Sequence, residues 1–313
     1  MTMPAPQEGK QPLVRCSDVA PEPLPGTAKQ AGTYVIFEWP LSWSHDVLDG
    51  GTLGEEFTAR LKAHLKKYGA SLQLIRHPTR ERRQITDHHL YLVFAEDNIM
   101  EVTHVSSPEE LLELDLSGPG RNNLEQRTHP LVLICTHAKR DACCAIKGRP
   151  LVTELEKRYP FSENGDIVWE TSHTKGHRFA PSMLLMPWGY SFGRMNVEAT
   201  ESMIEASLQG AYFIAGNRGR GTLTPTAQVA ELAVASELAL AHEPVKYGQF
   251  DVVSDEIAAD AKSAKLTVVD TASGRNFAVT LASRTVDGII SSCGAEPKRG
   301  NVWDVDSVEE AVN

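Results

Sequence analysis

An α/β (α+β) chain is what this sequence predicts, and three observations predict it. Short apolar, β-branched runs alternate with amphipathic helical stretches over residues 33–209. The order strand, helix, strand, hairpin, helix occurs there twice in succession. A further set of short alternating runs then follows an alanine- and leucine-rich helical stretch.

The elements follow in order. Residues 1–30 hold six prolines and little periodic apolar content, which predicts a flexible or extended tail. Cys16, inside it, reads as an incidental free thiol. TYVIFEW (33–39) is a strand, and LGEEFTARLKAHLKKYG (53–69) is a helix with Phe57, Leu61 and Leu65 on one face and Gly69 as a stop. SLQLIRH (71–77), LYLVFAE (90–96) and IMEVTHV (99–105) are strands, the last two joined at Asp97-Asn98. SSPEELLELD (106–115) starts a short helix with Pro108 in its first turn.

The second round begins with LVLIC (131–135) and the helix PLVTELEKRY (150–159), followed by the strand DIVWE (166–170). SMLLMP and YSFGRMN form a hairpin around Trp188-Gly189, and EATESMIEASLQ (198–209) closes with a helix. This is the element order of a thioredoxin-like unit, so two such units in tandem are expected. After Gly210 come the helix AQVAELAVASELALAH (227–242) and the short strands AKLTVVD, NFAVTLA and GIISSC, the first pair turning at Ser273-Gly274. The expected division is a tail at 1–30, units at 31–125 and 126–215, and an α+β C-terminal region at 216–313. GNRGRG (216–221) does not follow a strand in a βαβ setting, so it reads as a loop rather than a phosphate cradle.

Composition narrows the function. Hydrophobic content of 41% and charged content of 23% are those of a globular chain. A net charge of −10 argues against general nucleic-acid binding, which needs basic surface to displace counterions. Between Cys135 and Arg178, however, eight Lys/Arg face six Asp/Glu, which favours an acidic docking partner there. Five unevenly placed cysteines make a poor disulfide framework and fit a reducing compartment. With no apolar run near the roughly 18 residues that span a bilayer and no signal-like N-terminus, a cytoplasmic protein without membrane contact is expected.

Two short words carry the chemistry. CTHAKRDACC holds Cys135, Cys143 and Cys144, and HTKGHRFAP holds His173 and His177. Thiolate and imidazole together are donors for soft-acid metals, and an iron–sulfur cluster is the working expectation. Cys135 ends a strand, Cys143 and Cys144 open the following turn, and HTKGH occupies the next strand-end loop, where Gly176 permits a tight turn. Both loops can emerge at one end of the sheet.

These words, with G-R-P-L after the first and Y-S-F-G-R after the second, resemble the sucrase/ferredoxin-like family over roughly residues 131–196. The RGR at 218–220 is also similar. The resemblance implies a thioredoxin-like ferredoxin domain whose [2Fe–2S] cluster is held by Cys135, Cys144, His173 and His177, with Cys143 a spare or packing residue. Lys175 stands where the family more often has glycine. Two thiolates in place of four make the oxidised cluster formally about neutral rather than about −2, so its potential is expected above the roughly −400 mV of plant-type ferredoxins. His137, Asp141, Arg140 and Arg178, with Lys139 and Arg149, are expected to shape the site or dock a redox partner protein.

Other readings share some of these residues. A structural zinc site takes the same four donors. Cys135-Thr136-His137 spells one half of a Rieske motif, whose other half is missing, which makes His137 a supporting residue. Vicinal Cys143-Cys144 could serve thiol redox chemistry, although redox motifs space their cysteines by two residues. Sugar hydrolysis, which the family name records, needs two carboxylates across a pocket. Asp141 and Glu170 flank the two words, but Asp141 is expected to fix its loop through backbone hydrogen bonds. Trp169, Phe179, Trp188 and Tyr190 are expected in the core.

Overall fold

The computed structural model describes residues 15–161 and 166–311. Its main feature is one ten-stranded, curled sheet. The first half comprises β1 (Thr33–Glu38), α1 (Glu55–Lys67), β2 (Ser71–Arg76), β3 (His88–Phe94) and β4 (Ile99–Val105), with a short β5 (Glu125–Gln126) outside β4. The second comprises β6 (Leu131–Cys135), α2 (Arg149–Arg158), β7 (Val168–Thr171), β8 (Met183–Met186), β9 (Tyr190–Phe192) and α3 (Val197–Leu208).

Both halves have the same internal order. β1 pairs parallel with β2 and antiparallel with β3, which pairs with β4; β6 pairs parallel with β7 and antiparallel with β8, which pairs with β9. This is the strand order of a thioredoxin-like unit. The halves join through β2 and β7, equivalent strands that pair antiparallel with Ile75 opposite Thr171 and Arg76 opposite Glu170. Antiparallel pairing of equivalent strands relates the halves by an approximate two-fold axis.

Side-chain alternation along the strands sorts the core. On one face Val35, Phe37, Leu72 and Leu74 pack on Phe57, Leu61 and Leu65 of α1, as the helix periodicity predicts. In the second half Val132, Ile134, Met183 and Leu185 pack on Leu151 and Leu155 of α2 and on Met203 and Ile204 of α3. The intervening residues Tyr34, Ile36, Ile75, Leu131, Leu133 and Trp169 form one cluster that runs across the join. Strands apolar on both sides are the mark of a sheet covered on both faces.

Several boundaries differ from the sequence reading. The predicted helix at 106–115 is a single turn, Pro108–Leu112, because only Leu111 is fully buried to hold it. NRGR is not a loop but β10 (Asn217–Arg220), the sheet edge beside β9. The C-terminal helix α4 (Pro225–Leu240) begins two residues early, since Thr224 caps it by accepting at its side chain from the Ala227 N–H. α4 packs between β10 and a four-stranded meander of β11 (Phe250–Ile257), β12 (Ser263–Asp270), β13 (Asn276–Ile289) and β14 (Lys298–Glu310). β11 and β14 escaped the sequence reading because each alternates weakly and presents an exposed face. The predicted run GIISSC ends its strand at Ile289.

The predicted tail is also corrected. Residues 1–14 lie outside the described residues, but the chain from Cys16 onward is fastened to β10 and its following turn. The Thr27 N–H donates to the Arg218 carbonyl (3.2 Å) and the Ala31 N–H to that of Gly221 (2.9 Å). Prolines here set an extended strap. Among the described residues, no helix is long and apolar enough to cross a membrane.

Glu38 shows how the first half is tied together. Its buried carboxylate accepts from Arg80 (2.9 Å) and from the His89 N–H (3.1 Å), and pairs with His89 Nδ1 (2.7 Å). Burial alone would raise its pKa, but the bonds from His89 and Arg80 outweigh it and hold the carboxyl below its ordinary 4.5. A lowered folded-state pKa gives stability that is present above the ordinary value and lost as pH falls through the lowered one. Glu38→Gln should therefore cost about 1–3 kcal/mol in urea unfolding at neutral pH. The gap to wild type should close in acid; a gap independent of pH would contradict this account.

Candidate metal centre

Cys135 is the last residue of β6, anchored by its N–H to the Ser182 carbonyl (3.0 Å). After the loop 136–141 the chain enters helix at Ala142 and passes through one π-turn, Cys144–Gly148, which runs straight into α2. The turn crosses the end of β6 so closely that a Cβ on Gly148 would stand 2.3 Å from the Cys135 carbonyl oxygen. Glycine at 148 thus brings Cys144 against Cys135. Both thiols are fully buried, and each shifts the ionisation of the other. Cys144, donating to its neighbour and deeply buried, is held protonated, whereas Cys135 is pushed well below the ordinary thiol pKa by the Cys144 bond and then by His173.

HTKGH forms the loop between β7 and β8, ending in a turn at His177–Phe179. Lys175 (φ +65°) and Gly176 (φ +83°) both take left-handed backbone, which explains why glycine suits the first position as well as the second. The turn brings His173 and His177 together, ring centres 5.2 Å apart and tilted by 32°. Both are half-buried, and His173 Nδ1 and both His177 ring nitrogens have no hydrogen-bond partner among the described residues. Burial pushes the His177 pKa down against the opposing pull of Asp141. Buried polar atoms without partners are costly, and a bound metal or cluster is one group that would engage them.

Arg218 supports this loop, a role the sequence reading did not assign to it. It is fully buried, with no carboxylate partner among the described residues. Its guanidinium donates to Thr27 Oγ1 (3.0 Å), to the Thr27 carbonyl and to the Lys175 carbonyl (3.2 Å), and it lies over the Phe179 ring. Burial pushes its pKa down to about 9, so it remains a cation at neutral pH. The only sequence signal was the RGR word itself.

The chain matches the model of the sucrase/ferredoxin-like family over residues 24–221. The protein belongs to the sucrase/ferredoxin-like family. No curated protein and no solved structure matches it. The family match covers both halves of the sheet and its β10 edge, and stops before α4 and the meander. It therefore takes in both words but leaves out Cys16 and Cys293.

Those two cysteines need correcting, because the family word reaches them in space. Cys16 is not incidental: its fully buried Sγ lies 3.6 Å from that of Cys143 and 3.7 Å from that of Cys293. Cys293, in the loop after β13, has its Sγ 3.2 Å from that of Cys143. Cys143 and Cys144 thus face opposite ways, Cys144 to Cys135 and Cys143 to this second group. Asp141 completes the group, which could hold a metal ion. Its carboxylate accepts from the backbone N–H groups of Cys143 and Cys293, both at 2.9 Å, so it does fix its loop. Burial works against the Asp141 carboxylate, yet those N–H bonds keep its pKa below the ordinary value. Burial raises the Cys16 thiol, and that of Cys293 to about 11.

The remaining named residues surround these groups. His137 is buried, with Nε2 bonded to the Ser44 carbonyl (2.7 Å) and its ring edge-on to Trp43. The first half thereby reaches over to brace the cysteine loop. Arg140 meets His45 Nδ1 at 3.2 Å, and Arg178 pairs with buried Glu22 while lying over Phe179. Arg149 bonds Glu81 (3.1 Å). Glu170 is bound to Arg76 (2.6 Å), so the two carboxylates weighed for hydrolysis, Asp141 and Glu170, serve separate networks. Trp169, Phe179 and Tyr190 are fully buried and Trp188 partly so.

Gly176 offers a direct probe of the histidine loop. A Cβ there would stand 2.5–2.8 Å from the Arg218 guanidinium, on backbone that already disfavours it. Gly176→Ala should destabilise the fold by about 1–3 kcal/mol in urea unfolding. A wild-type midpoint would show that Arg218 and the loop are not packed in this way.

Proposed function

We propose that the protein is an electron carrier of the sucrase/ferredoxin-like family, with a [2Fe–2S] cluster held by Cys135, Cys144, His173 and His177. The observation that carries this reading is a pair of fully buried thiols, set at the end of β6 and the start of the π-turn, beside two half-buried imidazoles with unpartnered nitrogens. Two thiols and two imidazoles are a donor set that suits such a cluster. When bound, the cluster supplies one-electron exchange.

The residues around it have physical tasks in that exchange. Gly148 and the π-turn hold the thiols side by side, so little reorganisation is needed at the sulfurs. Arg218, a buried cation behind the histidine loop, favours added negative charge and so favours reduction. His173 opens onto a cleft of about 350 Å³ whose wall carries Lys29, Lys62, Lys66, Arg140 and Lys175. This excess of basic side chains supports docking of an acidic redox partner at the imidazole edge.

Protein purified without oxygen, after cluster reconstitution, should contain iron and acid-labile sulfide, absorb in the visible and give a paramagnetic signal when reduced. Colourless protein holding zinc at these residues would refute the reading. His173→Cys or His177→Cys should retain a cluster and lower its potential, because added thiolate charge disfavours reduction; an unchanged potential removes that histidine from the ligand set. The cleft is tested with small charged oxidants. Lys62→Glu with Lys66→Glu should slow oxidation by ferricyanide about tenfold and leave oxidation by a cationic ruthenium complex unslowed. Equal effects on both oxidants would place the electron exit elsewhere.

A further inference from the structure

We propose that Cys16, Cys143, Cys293 and Asp141 form a second metal site, separate from the Cys135/Cys144/His173/His177 set, for one soft divalent cation of the zinc class. Three segments remote in sequence supply the donors: the turn Cys16–Asp18, the segment that ends at Cys143, and the loop between β13 and β14. Cys16 and Cys143 are 127 positions apart, and Cys143 and Cys293 are 150 apart. Convergence of three thiols and a carboxylate from such distances needs a physical reason, and apolar packing alone does not explain the carboxylate.

The spacing fits a tetrahedron. With Zn–S about 2.3 Å and Zn–O about 2.1 Å, tetrahedral edges are about 3.8 Å between sulfurs and about 3.6 Å between sulfur and oxygen. The three Sγ separations here are 3.6, 3.2 and 3.7 Å. Asp141 Oδ1 lies 3.2 Å from Cys293 Sγ and 3.8 Å from Cys16 Sγ. All four donor atoms fall within 4.8 Å of one another.

The electrostatics point the same way. Asp141 is buried, and among the described residues no lysine or arginine pairs with it. Its nearest charged candidate is His177, whose Nε2 stands 3.6 Å from Oδ2, beyond hydrogen-bond reach. A carboxylate buried among thiols lacks a counter-charge, and a dication bound to all four donors supplies one. Three thiolates and a carboxylate around a dication carry the same formal charge as a zinc site built from four cysteines, about −2. Uptake releases the thiol protons to solvent and moves no electrons.

Such an ion would clasp both flanks of the chain onto the cluster loop. The N-terminal turn is already held there by Lys147, which bonds Asp18 (2.6 Å) and the Ser17 carbonyl (3.3 Å). Two donors, Cys16 and Cys293, lie outside the stretch matched by the family, so the site belongs to this chain's own flanking segments.

The test uses the full chain purified under reducing conditions, with zinc alone as the added metal. Elemental analysis should find about one zinc per chain, and zinc-edge X-ray absorption a shell of three sulfurs at about 2.3 Å and one oxygen. Cys16→Ser and Cys293→Ser should each lower zinc content about tenfold or more, while iron and sulfide stay at wild-type levels. No bound zinc in the wild type, or full zinc in both variants, overturns the site. A shell of two sulfurs and two nitrogens also overturns it, and separately contradicts the cluster reading by placing zinc on Cys135, Cys144, His173 and His177. A Cys143–Cys293 disulfide in alkylated wild-type protein would overturn it too. Should the serine variants fail to fold, the wild-type absorption shell decides alone.

Discussion

The pairing of β2 with β7 is the interaction on which the rest of the molecule depends. It merges two five-stranded halves into one sheet, and its register is fixed by more than backbone bonds. Arg76 and Glu170, opposite each other on the two strands, form a buried pair at 2.6 Å, and Ser172 exchanges hydrogen bonds with Leu74. A slip of one residue would separate that pair and leave the buried Glu170 carboxylate without its partner, although Arg76 would keep Glu81 at 3.2 Å. Because β7 leads straight into the histidine loop, the same pairing sets where His173 and His177 stand. It also lets the first half lend Ser44 and Trp43 to brace His137.

Around Cys135, Cys144 and the histidine loop, the protein uses close approach of backbone rather than surface charge. Gly148 lets a helix entrance cross a strand end, and Gly176 lets a buried guanidinium sit beneath a loop. Cys135 and Cys144, on either side of the Gly148 contact, are fully buried, which strengthens charge interactions at their sulfurs. Arg218 is the clearest consequence, a desolvated cation satisfied by carbonyls, a hydroxyl and an aromatic face. Its field is therefore not cancelled by a carboxylate.

The adjacent residues Cys143 and Cys144 divide their labour by geometry. Cys144 lies inside the π-turn and faces Cys135, whereas Cys143 precedes it and faces the chain's two flanks. Asp141 and His177 sit at the boundary of the two groups, with 3.6 Å between their side-chain atoms.

The sequence by itself determined what local rules control. Strand and helix order, the α1 and α2 faces, the turns at Asn98, Gly189 and Gly274, and the strand-end placement of Cys135 all follow from periodicity and turn chemistry. The short spacing within each word likewise set Cys143 beside Cys144 and His173 close to His177. The tertiary structure decided what depends on distant segments. It turned NRGR into an edge strand because β9 offered an unpaired partner, and it drew the proline-rich segment into a strap because β10 offered carbonyls. It also gathered Cys16 and Cys293 beside Cys143. No pattern along the chain records that last encounter, since its partners are separated by whole elements and meet only once the sheet and meander have folded against each other.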